Sequence, residues 1–152
     1  MIKISKILFP TDFSDISRKA AFQAVALCKD LKASLEVVHV MENEAFIGAY
    51  GYTPAPYPEL EQKMRMAAEE KIEALCSELG KESHVDVHGA VISGVAAESI
   101  CKYAETHPVD LIVMATHGRK GLPRFVLGSV TERVVRMSEK PVLTLRGKAS
   151  DS

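Results

Sequence analysis

The residues best suited to chemistry gather late in the chain. Positions 115–121 read Ala-Thr-His-Gly-Arg-Lys-Gly, and after Gly118 nine residues lead to the pair Gly128-Ser129. Glycine lacks a Cβ, so Gly118 lets the backbone approach a ligand closely and turn through positive φ. Gly128-Ser129 stands where a helix is expected to begin, and a helix start offers free N–H groups and the positive end of a dipole to an anion. Phosphate is the ligand this arrangement suits, although turns and a helix cap suit the same glycines. Charge points the same way. Between positions 115 and 136, Arg119, Lys120, Arg124, Arg133 and Arg136 stand against the single acid Glu132, a local excess of four positive charges in a chain of net charge −1. A positive field of this kind draws in anions.

A second candidate is Asp12, within Pro10-Thr11-Asp12-Phe13-Ser14. A carboxylate directly after a strand can accept a hydrogen bond from a base or a ribose; it can equally cap the next helix. His117 and Arg119 lie inside the glycine loop. The histidine suits hydrogen bonding within the loop ahead of a catalytic role, and Arg119 and Lys120 suit either a terminal phosphate or plain solvation, with contact favoured for Arg119.

Other patterns fall short. Positions 89–94 carry the glycine spacing of a phosphate loop, but Val95-Ala96 stand where lysine and a hydroxyl would be needed. No G-x-G-x-x-G, H-x-G-H or G-x-S-x-G occurs, which argues against dinucleotide enzymes, nucleotidyl transferases and serine hydrolases. His84, Asp86 and His88 would share one side of a strand by alternation, but a metal needs more ligands. Met64 and Met66 read as core or rim filler. Tyr50, Tyr52 and Tyr57 read by default as ordinary residues of a mobile loop, with a lid over the site or a partner contact as the alternative.

The elements that must position these residues alternate. Short apolar runs at 7–9, 35–40, 85–92, 111–115 and 141–145 read as strands. Helical periodicity covers 14–32, capped by Ser14 or Asp15, then 59–80, ended by Gly80, then 95–105, and a last helix opening at Gly128 or Ser129. Residues 42–58, with Gly48, Gly51, Pro54, Pro56 and Pro58, read as a long surface loop. Strands separated by helices imply a doubly wound α/β fold: a parallel sheet of about five strands sandwiched by about four helices. Such sheets bind ligands beyond the carboxyl ends of their strands, which is where both candidate loops fall. The 152 residues fit one domain over 1–146, with a polar tail at 147–152. Three scattered cysteines without a C-x-x-C spacing exclude a disulfide framework and a four-cysteine zinc site. The longest apolar runs, about five residues, are far below the roughly 20 of a membrane helix. With no signal-peptide pattern at the N-terminus either, a cytoplasmic protein is expected, with neither membrane nor nucleic acid as partner.

Together these segments resemble the universal stress protein family. The resemblance rests on positions 9–14 (Phe-Pro-Thr-Asp-Phe-Ser), Val38-His39-Val40, 110–119, 128–134 and 141–143, and so runs from about Lys6 to Leu145. Nucleotide-binding members carry glycine, two residues, glycine, nine residues, then glycine and serine or threonine. Gly118, Gly128 and Ser129 match, while Ala115 stands at the first glycine. The resemblance implies a Rossmann-like fold akin to the adenine nucleotide alpha hydrolases, and a site of Pro10, Thr11, Asp12, Val40, Met114, Ala115, His117, Gly118, Arg119, Gly128, Ser129, Val130 and Thr131. Asp12 and Val40 would line the adenine, Ala115 would lie near the ribose, and Gly118, Gly128, Ser129 and Val130 would surround the phosphates. A methyl at 115 is harmless at negative φ and costly at positive φ or against a ribose.

The implied ligand is ATP, with Mg2+ or Mn2+, although AMP or another adenine nucleotide satisfies the same pocket. The implied role is a stress-response regulator or sensor acting as a homodimer through the last strand, with protein partners the sequence does not identify. ATP would order the 116–128 loop and so change a surface that partners read. No catalytic residue is assigned, because no positioned general base is evident. Two alternatives stand: a dimeric interaction module of the same family that binds no nucleotide, and a slow ATPase.

Overall fold

The computed structural model describes residues 2–42, 58–116 and 127–146. In chain order these form β1 (Lys6–Pro10), α1 (Asp15–Leu31), β2 (Ser34–Met41), α2 (Pro58–Ser83), β3 (Val87–Ser93), α3 (Ala96–Thr106), β4 (Leu111–Ala115), α4 (Ser129–Met137) and β5 (Val142–Leu145). All strand pairs are parallel, in the order β3-β2-β1-β4-β5. The doubly wound five-stranded fold expected from the alternating pattern is the fold observed. The order reverses between β1 and β4, and sheets of this kind bind ligands in the crevice beyond such a reversal, here the ends at Pro10 and Ala115.

Alternation along the strands builds two cores. Ile7, Phe9, Leu35, Val37, Leu111 and Val113 face α1 and α2. Leu8, Val38, Ile112 and Met114 face the other way, under α3 and α4. This two-sided burial is why Ile7–Phe9 of β1 and all of β4 are apolar. Ala20, Ala21 and Ala24 are fully buried on α1 and let that helix lie close to the sheet. Each layer also has one Arg–Glu tie, Arg18 with Glu78 between α1 and α2, and Arg133 with Glu98 between α3 and α4. Both ties are half exposed, and such pairs contribute about 0–1 kcal/mol.

Several boundaries differ from the sequence expectation. Helix α2 opens with Pro58 as its first residue, where a missing N–H costs nothing. It does not end at Gly80 but runs to Ser83. Gly80 keeps helical geometry, and a Cβ there would meet its nearest neighbour outside the helix, the Val85 carbonyl oxygen, at 3.7 Å, so a methyl fits without strain. The stop is His84, at φ 57°, with the Ser83 hydroxyl donating to the Leu79 carbonyl at 2.7 Å and accepting from the Val85 N–H at 3.2 Å. Strand β3 therefore starts at Val87, not Val85. Met64 and Met66 are 51% and 54% exposed and so are not core filler. Tyr50, Tyr52 and Tyr57 lie outside the described residues. Among those described, no helix is long and apolar enough to cross a membrane.

Candidate functional site

The first half of the crevice is the turn from β1 into α1, and it is closely tied. The Thr11 N–H donates to the Val38 carbonyl at 2.8 Å, and the Thr11 carbonyl accepts from His39 Nδ1 at 2.8 Å. The buried Thr11 hydroxyl accepts from the Phe13 N–H at 3.1 Å and shares a 2.9 Å hydrogen bond with the Ser17 hydroxyl. Phe13 sits at φ 64°, a left-handed conformation that costs a bulky residue about 1–3 kcal/mol and persists only where the surroundings over-determine it. Here they do: the Phe13 ring lies 4.4 Å from the His39 ring, with the Lys71 ammonium 5.5 Å from its centroid.

This turn lifts Asp12 into solvent. One of its oxygens, Oδ1, accepts from the Ser14 N–H at 2.9 Å. Asp12 thus closes a turn of its own and leaves the helix cap to Ser14, whose hydroxyl accepts from the Ser17 N–H at 3.1 Å. Pro10 is half-buried beside Thr11. Val40, near the end of β2, packs on the α3/α4 core.

The second half joins β4 to α4. Met114 is buried and belongs to the α3/α4 core. Ala115 is not among the residues of positive φ, and its methyl packs on the α1/α2 core. Alanine is therefore unstrained where the nucleotide-binding pattern has glycine. The Gly128 N–H donates to the Thr116 carbonyl at 2.8 Å, and the Thr131 hydroxyl donates to the Ala115 carbonyl at 3.0 Å. These two bonds fix the start of α4 against the end of β4.

They also correct one expectation, that the Gly128 N–H is free for a ligand. The Gly128 N–H is spent within the protein, so the donors left at the helix start are those of Ser129, Val130 and Thr131, which have no acceptor inside an α-helix. Gly128 has φ −55°, so its backbone does not require glycine; a Cβ there would stand 3.3 Å from the Thr116 carbonyl oxygen, a close contact that a shift of a few tenths of an ångström relieves. His117, Gly118, Arg119, Lys120 and Arg124 lie outside the described residues, as does the ordering of their loop. The remaining two bases of the positive window are paired, Arg133 with Glu98 and Arg136 with Glu132 at 2.6 Å. Glu98 belongs to α3, beyond the window, and so lowers the local excess of positive charge.

No group of three or more metal-ligating side chains occurs among the described residues. His84 ends a helix while His88 lies in β3, so they share no strand face; His88 Nε2 instead meets Asp86 Oδ1 at 2.9 Å on the surface. Burial pushes the Cys28 and Cys76 thiols up to about 11, and Cys101 upward as well, so none is a ready nucleophile. Sequence reasoning passed over the Thr11–Ser17 hydroxyl pair and gave His39 no task. A histidine within an apolar strand and a threonine just after one were the available signals. It also passed over Glu42, whose carboxylate accepts from the Ala96 N–H at 3.1 Å and caps a helix whose own Val95 has no capping group.

Comparison with known proteins places this geometry. The model of the Universal stress protein family matches residues 3–146. Universal stress protein MJ0531 of Methanocaldococcus jannaschii is 36% identical over 146 residues, covering 93% of this chain and 81% of that protein. The solved structure of MJ0577 from the same organism superposes with a TM-score of 0.78 at 32% identity, over 98% of this chain and 100% of that one. Two more distant structures share the fold at a TM-score of 0.64. They are a universal stress protein in complex with cAMP, at 20% identity over 95% of this chain and 98% of that one, and the Archaeoglobus fulgidus protein in complex with dAMP, at 18% with the same coverage.

Proposed function

Because this chain belongs to the universal stress protein family, we propose that it binds an adenine nucleotide, ATP foremost, at the β1/β4 crevice and acts as a stress-response regulator. The observation that carries the proposal is the pairing of two unlike anchors at one switch point. A fixed turn presents the Asp12 carboxylate, and a helix start presents the Ser129, Val130 and Thr131 N–H groups. The carboxylate suits hydrogen-bond donors on a base or ribose, and the helix start suits phosphate oxygens. That cAMP and dAMP occupy two relatives of the same fold supports an adenine nucleotide.

In this reading Pro10, Thr11 and Val40 flank the adenine and Asp12 accepts from it. Met114 and Ala115 floor the ribose, and the start of α4 holds the phosphates, together with His117, Gly118 and Arg119 of the adjoining loop. Mg2+ or Mn2+, where present, would neutralise phosphate charge on the solvent side. A homodimer through β5 belongs to the same proposal. That strand is an open sheet edge, and Leu143 on it is exposed.

The test is to denature the purified protein, separate what is released by ion exchange, and titrate Mg-ATP by calorimetry. Co-purified nucleotide, or a Kd on the order of micromolar that is lost in Gly128→Asp, is the expected result. No nucleotide and no heat would refute the proposal and leave the interaction module that binds none. Phosphate release faster than in Gly128→Asp would establish the slow ATPase instead. Sedimentation velocity, with Leu143→Lys as the control, tests the dimer.

A further inference from the structure

The other sheet edge carries a different surface. Among the described residues, β3 pairs with β2 on one side and with no strand on the other. The Leu35 N–H donates to the Asp86 carbonyl at 2.9 Å and the Gly94 N–H to the Met41 carbonyl at 3.1 Å. In a parallel ladder with this register, the even-numbered residues from 86 to 94 bond β2. The N–H and C=O groups of Val87, Gly89, Val91 and Ser93 therefore point away from the sheet. One of them is closed off: Arg65 of α2 reaches over the edge and donates to the Val91 carbonyl at 3.0 Å, and also to the Ser93 hydroxyl. Below that bridge, the outward groups of Val87 and Gly89 have no protein partner among the described residues.

A groove of about 560 Å³ runs beside this open stretch, between β3 and α2. Gly89 brings the helix in close: a Cβ there would fall 2.2 Å from Ile72 Cγ2 and 2.8 Å from Cys76 Sγ. The helix side of the groove carries Glu69 and Glu73, and among the described residues its lining holds no lysine or arginine, Arg65 standing at its Val91 end. His88, on its rim, is held by Asp86.

We infer that this edge is a docking site for a short, extended, basic peptide segment of another protein, added as a sixth strand beside Val87–Val91. The main-chain groups supply the pairing, and the two glutamates select lysine or arginine on the side facing α2. A second copy of this chain fits poorly. Antiparallel pairing of two β3 edges keeps both α2 helices on one face and sets their Glu69 and Glu73 rows against each other. The Arg65 bridge limits the partner to a few residues, since pairing cannot continue past Val91.

The test uses a capped heptapeptide alternating lysine and valine, titrated into the full-length protein and followed by amide NMR. Shifts should centre on Val87, Gly89 and Val91 and on the 69–77 stretch of α2. N-methylation of alternate peptide nitrogens should weaken binding at least about tenfold, because it removes the donors that pair with the edge. The Glu69→Lys/Glu73→Lys variant, checked for an unchanged fold by circular dichroism, should weaken it by a similar factor, as should exchanging the peptide lysines for glutamate. Gly128→Asp should leave it unchanged, which separates this site from the nucleotide crevice. Equal affinity of the N-methylated or the glutamate peptide, shifts centred elsewhere, or no binding at millimolar peptide would overturn the inference. So would β3 shifts that grow with protein concentration alone, because the occupant would then be a second copy.

Discussion

The two halves of the crevice are built on opposite principles. The β1–α1 turn is fastened at almost every residue: Thr11 through its N–H, carbonyl and hydroxyl, Asp12 through Oδ1, and Ser14 through N–H and hydroxyl. The β4–α4 passage is fastened at its feet, by Gly128 onto Thr116 and Thr131 onto Ala115. A turn so constrained presents one carboxylate in one place before any ligand arrives, which suits recognition of a rigid base. The helix start that the passage leads to presents the Ser129, Val130 and Thr131 N–H groups, which have no acceptor within the helix, and such a row suits a charged and adaptable phosphate chain. In the proposed nucleotide site, rigidity in the first half would carry selectivity and the helix start in the second would carry affinity.

The sharpest break of that contrast is Gly128→Asp. Aspartate is a good residue at a helix N-cap, and φ −55° accommodates it, so stability should hold within about 1 kcal/mol. Nucleotide affinity should fall by about a hundredfold or more, because a carboxylate then faces phosphate. Calorimetry beside thermal denaturation checks both, and a parallel fall of the two would mean that the helix start is structural only. Next in size is Asp12→Ala. Affinity for ATP should drop about tenfold, with the preference for adenine over guanine nucleotides largely erased, while stability falls by about 1 kcal/mol as the Ser14 N–H loses its acceptor. Retained adenine preference would remove Asp12 from the base-reading role. Thr11→Val keeps the shape of the turn but strips its hydroxyl, leaving the buried Ser17 hydroxyl and the Phe13 N–H without partners; about 1–3 kcal/mol of stability should be lost in urea titrations. The smallest effect is expected from Ala115→Gly. Restoring the glycine of the nucleotide-binding pattern should change ATP affinity less than about twofold and cost about 0.5–1 kcal/mol through backbone entropy. A large gain in affinity would show that the methyl obstructs the ribose.

The fold was legible because its central strands are buried on both faces, so runs such as 7–9 and 111–115 advertise themselves in sequence. Boundaries were less legible where the deciding contact is local but unusual. Gly80 looks like a stop yet continues the helix, while His84, which carries no such signal, supplies the left-handed residue that ends it. Within the crevice, Asp12 and Gly128 could be located from sequence because turn and cap chemistry is local. The employment of the Gly128 N–H by Thr116, and the neutralisation of Arg133 by Glu98, could not be read. Each depends on a partner that only the folded arrangement brings close. Gly89 shows the same thing from another side: its place in a loop-like glycine pattern was a coincidence, and its reason is the space claimed by Ile72 and Cys76.

The central position of β1 has a consequence for how the chain comes to be folded at all. Its pairing with β2 joins Ile7 to Leu35, a short reach along the chain, but its pairing with β4 joins Ile7 to Leu111. During synthesis, β1, α1, β2, α2 and β3 can assemble and cover Ile7 and Phe9 before the rest emerges. Leu8 and Val38, on the opposite face, must wait for α3, β4 and α4. The half-made protein is thus a three-stranded sheet with one dressed face and one bare one. Its window of exposure is set by the time taken to translate residues 96–137 and to close the long β1–β4 loop, and destabilising changes in α3 should show first as aggregation of nascent chains and slower refolding.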